Sequence, residues 1–400
     1  MPYLSSNRSF VRKRRGYKNY DKQFLNPKEA ALLKTTRKAL LFVLSSLLLA
    51  TVWIAADTGS LNVIAWAKDL KRDNVPATVT PVSPNVPLAK YTVEQGVKIF
   101  NLTAEKVKQE VSKGVYMEAW GYNGSSPGPT IVVKNGDRIK VKVTNKLEEA
   151  TSIHWHGLIV PEKMDGVPDI QSSPAIQPGE SFTYEFTVKQ TGTFMYHSHT
   201  NTAKQEMMGL NGMFLSLPKN GNTAAGQQVD RDYTILLNQW QLVNPGSPKE
   251  MMPNKNDPKG GDIDPGTYEV NPEAMMWNLF TFNGKQFPST DPLTVKKGDK
   301  VLIRLGNLSM QSHPIHLHGQ NFTVIAKDGV PIKESAQFAG NTINIAPGET
   351  YDVIFTADNP GNWPLHCHLP HHTAGKDGKE GGMLTVVNYE GVALPDILED

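Results

Sequence analysis

The most restrictive feature of this 400-residue sequence is an internal repeat. A His-x-His-Gly motif at residues 154–157 recurs 162 residues later, at 316–319. A second His-x-His motif at 197–199 recurs 169 residues later, at 366–368. One insertion of seven residues between the motifs accounts for the change of offset. Two motifs that recur in the same order at nearly the same offset indicate a tandem duplication of one domain.

Both halves of the chain are predicted to be β domains. Short segments that alternate apolar and polar residues, such as 139–143 and 301–305, follow turn signals such as Asn135-Gly136. Alternation with period two that is interrupted by turns is typical of Greek-key sandwiches. We therefore predict an all-β fold of two tandem Greek-key β-sandwich domains, at residues 91–218 and 219–400.

The segment that precedes these domains is predicted to contain a membrane anchor. Residues 1–38 carry eleven Lys/Arg against two Asp/Glu, a net charge of +9, whereas the whole chain carries only +2. The excess of positive charge therefore lies in the N-terminal tail, and the net charge of the chain does not indicate nucleic-acid binding. Residues 39–56 form an uncharged apolar run, close to the ~20 residues that span a bilayer as a helix. The positive flank predicts a cytoplasmic tail.

This reading of the N-terminal segment has one alternative, a signal peptide that is cleaved. Residues 57–90 contain several prolines among polar residues and are predicted to be a Pro-rich linker. The two domains are then expected to be extracytoplasmic. They would be anchored to the cell membrane through residues 39–56, or secreted if that segment is removed.

The histidines are not scattered through the sequence. All eleven fall into four windows, 154–156, 197–199, 313–318 and 366–372. Four His-x-His pairs lie in these windows, and residues i and i+2 of a strand point to the same face. Two facing repeats would bring eight imidazoles together, which suits copper or zinc. Zinc sites normally use four ligands, so eight imidazoles predict a centre with several metal ions.

The second repeat adds a sulfur site. Cys367, the only cysteine, lies between two of the paired histidines, and His313 and His372 lie nearby in the sequence. A thiolate, two imidazoles and a weak thioether are the ligands of blue copper, and Met383 is the candidate thioether. The first repeat cannot form such a site, because its corresponding residues are Thr151, Ser198 and Ala203.

These motifs resemble those of the multicopper oxidases, in particular the small two-domain laccases, over about residues 91–390. The resemblance implies cupredoxin-like domains that bind four coppers per chain: one type 1, one type 2 and two type 3. It implies one-electron oxidation of a small donor coupled to reduction of O₂ to water. The donor would be a phenol or a metal ion such as Cu(I), Mn(II) or Fe(II). It further implies a homotrimer in which neighbouring subunits complete each three-copper cluster.

The resemblance also implies the ligands of each copper. The type 2 copper would be held by His154 and His316. The type 1 copper would be held by His313, Cys367, His372 and Met383. The type 3 pair would be held by the six remaining paired histidines, which are His156, His197, His199, His318, His366 and His368.

Two residues receive catalytic roles. Cys367 would pass electrons to the cluster through its two histidine neighbours. Asp165, which follows the first motif, resembles a family carboxylate that delivers protons during O₂ reduction, although an Asp-Gly turn is the alternative. Met383 lies sixteen residues after the cysteine, where the family has about ten, and residues 374–382 are interpreted as a loop insertion. His371, beside His372, is expected near the copper or on the substrate side.

Two other functions remain open on sequence grounds. Copper-containing nitrite reductases are also two-domain trimers, but that family places its type 1 copper in the first domain, where Ser198 stands here. A copper-free scaffold is the other alternative, although such relatives lose ligands and this chain keeps them all. Metal content would distinguish the three, at four coppers per chain, two or none.

Overall fold

A computed structural model of the chain describes residues 78–260 and 263–398. The predicted basic tail and the apolar segment 39–56 lie outside these residues. Among the described residues, no helix is long and apolar enough to cross a membrane. Regular structure in the described part is almost entirely β, which confirms the predicted all-β class.

In the first repeat, strands form where apolar and polar residues alternate in the sequence. In residues 139–143, for example, the isoleucine and both valines are buried while the two lysines between them are more exposed. A short 3₁₀ helix occupies Glu162–Met164, and one α-helix, α1, occupies Thr202–Met207. The strands are β1 (Tyr91–Glu94), β2 (Val97–Ser112), β3 (Val115–Tyr122), β4 (Gly128–Lys134), β5 (Arg138–Asn145), β6 (His154–His156), β7 (Ser181–Thr187), β8 (Gly192–His197) and β9 (Asn211–Leu217).

The second half of the chain continues with shorter strands. They are β10 (Arg231–Trp240), β11 (Leu242–Val243), β12 (Gly266–Val270), β13 (Leu279–Phe282), β14 (Leu293–Val295), β15 (Lys300–Asn307), β16 (His313–Leu317), β17 (Phe322–Lys327), β18 (Val330–Pro331), β19 (Phe338–Gly340), β20 (Thr342–Ile345), β21 (Thr350–Thr356), β22 (Asn362–Cys367) and β23 (Leu384–Tyr389). Single turns of 3₁₀ helix occupy Glu334–Ala336, Pro370–His372, Lys376–Gly378 and Asp396–Leu398.

Each repeat contributes two sheets with an apolar core. In the first repeat the sheets have the orders β11-β12-β3-β2-β5-β7, with β1 beside β2, and β4-β9-β8-β6. In the second they have the orders β13-β10-β15-β21-β17-β18, with β19 beside β17, and β14-β23-β22-β16-β20. Two sheets per repeat agree with the predicted sandwiches. In both repeats, the two strands that carry His-x-His residues are neighbours in the smaller sheet.

A segment that follows the predicted division at 218/219 pairs with the sheet of the first repeat. After β10 the chain returns to the first repeat, where β12 pairs in parallel with β3 and β11 pairs with β12. Tyr268 and Val270 of β12 are buried in the first core together with Trp240. Pairing covers the free backbone groups of β3, which would otherwise be an exposed sheet edge.

The described part of the predicted linker, residues 78–90, packs against both repeats. The Val82 backbone N–H donates to the carbonyl of Asp232 at 2.8 Å, and the Ala89 N–H donates to the carbonyl of Thr130 at 2.8 Å. These residues are therefore held to the domains by backbone hydrogen bonds instead of forming a free tether.

A buried arginine joins the two repeats. Arg304 of β15 is fully buried and donates from Nε to Asp232 Oδ1 at 2.8 Å and from Nη1 to Thr193 Oγ1 at 3.0 Å. Its Nη2 donates to the Asn222 carbonyl at 2.8 Å. Thr193 of β8 in turn donates to Asp352 Oδ1 at 2.5 Å. The charge of Arg304 is thus compensated by carboxylates of its own repeat and linked to a hydroxyl of the other.

Candidate metal centre

Four histidines of the first repeat form one cluster, called here the first quartet: His154, His156, His197 and His199. Strands β6 and β8 are antiparallel neighbours, and their register places His154 opposite His197. The ring centre of His154 lies 5.8 Å from that of His156, 5.3 Å from that of His197 and 5.4 Å from that of His199. Ligand atoms of the first three residues lie within 4.8 Å of one another. The quartet therefore offers converging imidazole nitrogens.

Hydrogen bonds orient two rings of the first quartet. His154 Nδ1–H donates to the Asp165 carbonyl at 2.9 Å, and the Asp165 carboxylate Oδ1 lies 3.4 Å from the same nitrogen. Gln171 donates to the other carboxylate oxygen of Asp165 at 2.7 Å. His197 Nδ1–H donates to the Ser198 carbonyl at 2.9 Å. With Nδ1 engaged as a donor, Nε2 of each ring is the nitrogen left for a metal ion.

The structure adds Glu206, which sequence reasoning missed. Its carboxylate Oε2 lies 3.3 Å from His197 Nδ1, and burial raises the pKa of Glu206 to about 7. Burial also lowers the pKa of His197 to about 3 and lowers the pKa of His156. Both imidazoles are therefore neutral at neutral pH, the form that binds metals. Glu206 belongs to α1, and no spacing rule links that helix to the histidine motifs.

The second repeat forms an equivalent cluster, called here the second quartet: His316, His318, His366 and His368. Strands β16 and β22 are antiparallel, with His316 opposite His366. Ring centres of His316 and His318 are 4.7 Å apart, and His318 Nε2 lies 2.9 Å from His366 Nε2. His316 Nδ1–H donates to the carbonyl of Asn341 at 2.8 Å. Burial is the main cause that lowers the pKa of His318 and of His366.

The two quartets are separate clusters. Among the described residues, every close ring contact of a quartet histidine is with a member of the same quartet. Neither quartet is sealed in the interior: His154 and His156 are partly exposed, and His368 is exposed. Each quartet can therefore meet further ligands at the surface.

Cys367, His313 and His372 form a buried sulfur site between β16 and the turn after β22. The Cys367 Sγ lies 3.6 Å from His313 Nδ1 and 3.5 Å from His372 Nδ1, and the two nitrogens are 3.2 Å apart. Burial lowers the pKa of His313 to about 3 and that of His372 to about 4, and raises the pKa of the Cys367 thiol to about 11. A soft sulfur donor and two imidazole nitrogens that converge in a buried site fit copper. Binding of copper would deprotonate the thiol.

Met383 lies next to this sulfur site. It is fully buried in the same apolar cluster as Cys367. Its backbone N–H donates to the His372 carbonyl at 2.8 Å, and its own carbonyl accepts from the Cys367 N–H at 3.0 Å. These two bonds hold Met383 beside both predicted ligands, on the far side of the 374–382 loop, and they support its proposed thioether role.

Two further neighbours of the sulfur site were not predicted. Ser309 Oγ lies 2.8 Å from His313 Nε2, which leaves Nδ1 as the nitrogen that faces the sulfur. The ring of Phe280 stacks on His372, with ring centres 3.8 Å apart and planes 16° from parallel. Ser309 could have been suggested by its position four residues before His313, whereas Phe280 comes from β13 and no local signal links it to the site.

Comparison with known proteins finds two matching family models, both described as multicopper oxidase, over residues 103–221 and 257–387. The Escherichia coli copper resistance protein A is 30% identical over 352 residues, which cover 81% of this chain and 53% of that protein. A multicopper oxidase of Staphylococcus aureus is 27% identical, with 69% of this chain and 86% of that protein covered.

Among solved structures, the blue copper oxidase of Nitrosomonas europaea is similar to this chain at 33% identity and a TM-score of 0.62. The match covers 73% of this chain and 86% of that structure. By contrast, this chain spans about half the length of the Escherichia coli relative. Two family models, a similar solved structure, and the histidine and cysteine geometry lead to one conclusion: the chain belongs to the multicopper oxidase family.

Proposed function

We propose that this chain is a laccase-like oxidase that couples one-electron oxidation of a small donor to four-electron reduction of O₂ to water. The observation that carries the proposal is the placement of Cys367. Its side chain lies in the buried sulfur site, while its sequence neighbours His366 and His368 belong to the second quartet. One covalent stretch of chain thus joins a site suited to single electrons and a site with many imidazoles.

The residues fit four coppers per chain, in the ligand sets given by the resemblance. When bound, copper would supply reversible one-electron redox chemistry at the sulfur site and O₂ binding at the cluster. The chain itself excludes water from Cys367 by burial. Burial also lowers the pKa of six histidines of these sites and so favours their neutral form: His156, His197, His313, His318, His366 and His372. Asp165 is our candidate for proton delivery, because its carboxylate lies 3.4 Å from His154 Nδ1 and Gln171 holds its other oxygen.

Metal analysis with an O₂ assay tests this function. We expect four coppers per chain, blue absorption, and O₂ consumption that depends on an added donor. Two coppers with nitrite reduction would favour a nitrite reductase instead, and no copper would favour a scaffold. The structure gives no support to the nitrite reductase, because the described cysteine site lies in the second repeat and Ser198 occupies the corresponding place in the first.

We further propose a homotrimer in which the first quartet of one subunit meets the second quartet of the next. Each quartet by itself offers half of the eight imidazoles, and both reach the surface. A cleft of about 720 Å³, lined in part by His316, His318 and Ile354, lies beside the second quartet and offers a concave surface for a neighbouring subunit. Head-to-tail contacts of this kind close into a ring.

Subunit mixing is expected to reveal shared sites. One variant carries His154→Ala with His156→Ala, the other His316→Ala with His318→Ala, and each alone should reduce no O₂. Co-expressed, they should recover about a quarter of the parent activity, because about one interface in four pairs two intact quartets in a random ring. O₂ consumption measures this. If each cluster were built within one chain, the mixture would stay inactive, and mixing either variant with itself is the control.

For the donor, we propose a phenol that binds in the cleft of about 390 Å³ beside His372. Trp277 and Gln311 line this cleft. Their Nε1–H and Oε1 are buried and have no hydrogen-bond partner among the described residues. A phenolic hydroxyl can accept from one and donate to the other. None of the described residues that line the cleft carries a carboxylate, the kind of ligand that suits Mn(II).

Cu(I) is the second candidate donor, because Met275 and Met276 line the same cleft and Met275 N–H donates to the carbonyl of Met251 at 2.9 Å. Met251, Met252, Met275 and Met276 are all exposed, and thioethers bind Cu(I). The methionines at 207 and 208, by contrast, are buried and serve as core.

Steady-state kinetics are expected to separate these donors. Trp277→Phe and Gln311→Met should each raise KM for a phenol about 3–10-fold with little change in kcat, since each removes one hydrogen bond of roughly 1 kcal/mol. Cu(I) oxidation should be unchanged. The control, Met275→Leu with Met276→Leu, should leave the phenol KM unaltered. The reverse pattern, with Cu(I) oxidation lost only in the methionine variant, would identify the metal ion as donor.

We propose an extracytoplasmic location, with residues 39–56 as anchor or cleaved signal. The support is the basic flank of residues 1–38 and the apolar run itself, both read from the sequence. Cell fractionation distinguishes the forms: the anchored protein sediments with membranes, the cleaved one is released, and recovery in the cytoplasmic fraction would contradict both.

A further inference from the structure

In the first repeat, three buried side chains form what we call the polar knot: Thr151, Ser198 and Gln205. Thr151 Oγ1–H donates to Gln205 Oε1 at 2.8 Å, and Ser198 Oγ–H donates to the same oxygen at 2.5 Å. The Gln205 amide Nε2 donates to Glu149 Oε1 and to the Ala150 carbonyl, both at 2.8 Å. All three knot residues are fully buried, and every polar atom of the Gln205 amide has a partner.

The polar knot occupies the positions that correspond to the sulfur site of the second repeat. Thr151 corresponds to His313, and Ser198 corresponds to Cys367. In the second repeat these two positions hold metal ligands, which copper would tie together. In the first repeat Gln205 ties them together by two hydrogen bonds. The two repeats thus join the same pair of chain segments by different means.

The polar knot adjoins the first quartet on both sides of Ser198. His197 and His199 flank this residue, as His366 and His368 flank Cys367. Helix α1, which carries Gln205, also carries Glu206, whose carboxylate lies 3.3 Å from His197 Nδ1. The backbone N–H of His199 donates to Ser152 Oγ at 3.3 Å. Movement of Ser198 would therefore move two histidines of the quartet.

We propose that Gln205 is a positioning residue for the three-copper cluster. By accepting from Thr151 and Ser198 it fixes the backbone that carries His197 and His199, in the repeat that lacks the residues of the sulfur site at that position. Packing alone does not require a glutamine at position 205, because an apolar side chain would fill the same space without the free-energy cost of burying an amide. A fully satisfied buried network instead selects a single arrangement of its members. The inference rests on the function proposed above.

Copper binding by the full chain tests this role. Gln205→Met keeps the length of the side chain and removes both polar ends, and Thr151→Val removes one hydroxyl at equal size. In chelator competition, both should lower the affinity for cluster copper about 10–100-fold, the range for residues that orient metal ligands. The type 2 signal in electron paramagnetic resonance should weaken or change shape, because the type 2 copper shares the cluster with the type 3 coppers that His197 and His199 would hold. The blue absorption of the type 1 site, whose ligands lie in the other repeat, should be unchanged. Thr151→Ser keeps the hydroxyl and should behave like the parent.

The outcomes are distinguishable. Equal loss of type 1 and cluster copper in Gln205→Met would show a general structural role and overturn the inference. So would four tightly bound coppers with the parent resonance signal, and in that case the proposed oxidase function would stand. A parent chain that binds no cluster copper would overturn the proposed function and this inference together. If Gln205→Met does not fold, the Thr151→Val and Thr151→Ser pair decides by the same criteria.

Discussion

Replacement of Cys367 by serine is expected to abolish the blue absorption and reduce donor-dependent O₂ consumption to the level of buffer. The thiol is fully buried between His313 and His372, and it is the only sulfhydryl of the chain. A serine hydroxyl does not ionise at neutral pH and offers a hard oxygen in place of a soft sulfur. Copper content should fall from four to three per chain, because both quartets keep their imidazoles.

The chain contains its own precedent for this substitution. Ser198 stands in the equivalent position of the first repeat, between two histidines that keep their places in the first quartet. Cys367→Ser should therefore fold, and near-parent cluster copper in the resonance spectrum would demonstrate it. His371→Ala is the matched control, since it removes an exposed imidazole next to His372 and should keep all four coppers and the blue colour. A blue Cys367→Ser protein would contradict the assignment of the sulfur site.

The arrangement within each quartet was predictable because it depends on local geometry. Residues i and i+2 of a strand share a face, so a His-x-His pair presents two rings together whatever the rest of the fold does. The repeat offsets then placed both pairs at equivalent positions. The strands that carry the two pairs are antiparallel neighbours in each repeat. Their register sets His154 opposite His197 and His316 opposite His366. Sequence spacing therefore predicted which histidines lie together within each quartet, and their role as copper ligands stays a prediction.

Features that depend on distant contacts were not predictable in the same way. The stacking of Phe280 on His372 joins residues from β13 and from the turn after β22, which no periodicity relates. Gln205, which contacts Ser198, and Glu206, which contacts His197, both come from one short helix in a stretch of sequence without a histidine. The pairing of β12 with β3 joins segments that are far apart in the sequence. It depends on the free edge of β3 and on burial of apolar side chains, and strand propensity alone does not specify it.

Replacement of Arg304 by alanine is expected to lower the free energy of unfolding by about 3–5 kcal/mol, the cost of leaving a buried charge without its partner. Asp232 and Asp352 would remain buried beside it, and the hydrogen bond to Thr193 that links the repeats would be lost. Urea unfolding of parent and variant at equal copper loading measures the loss. The control is Arg231→Ala, whose partner Asp299 lies 2.8 Å away but whose side chain is 30% exposed, so a loss of at most about 1 kcal/mol is expected.

The deficit of the Arg304→Ala variant should depend on pH. Burial raises the pKa of Asp352 above its usual value, and the charge of Arg304 opposes that rise. Without Arg304 the folded pKa rises further above the unfolded one, so the folded variant binds a proton that the unfolded chain releases. Such a group favours folding at low pH, and its contribution is lost as pH rises through the folded pKa. The loss of unfolding free energy in the Arg304→Ala variant should therefore be smaller at about pH 5 than at about pH 8. A loss of unfolding free energy that is constant across this range would show that the contact with Thr193 and lost packing account for it, and not the unpaired carboxylates of Asp232 and Asp352.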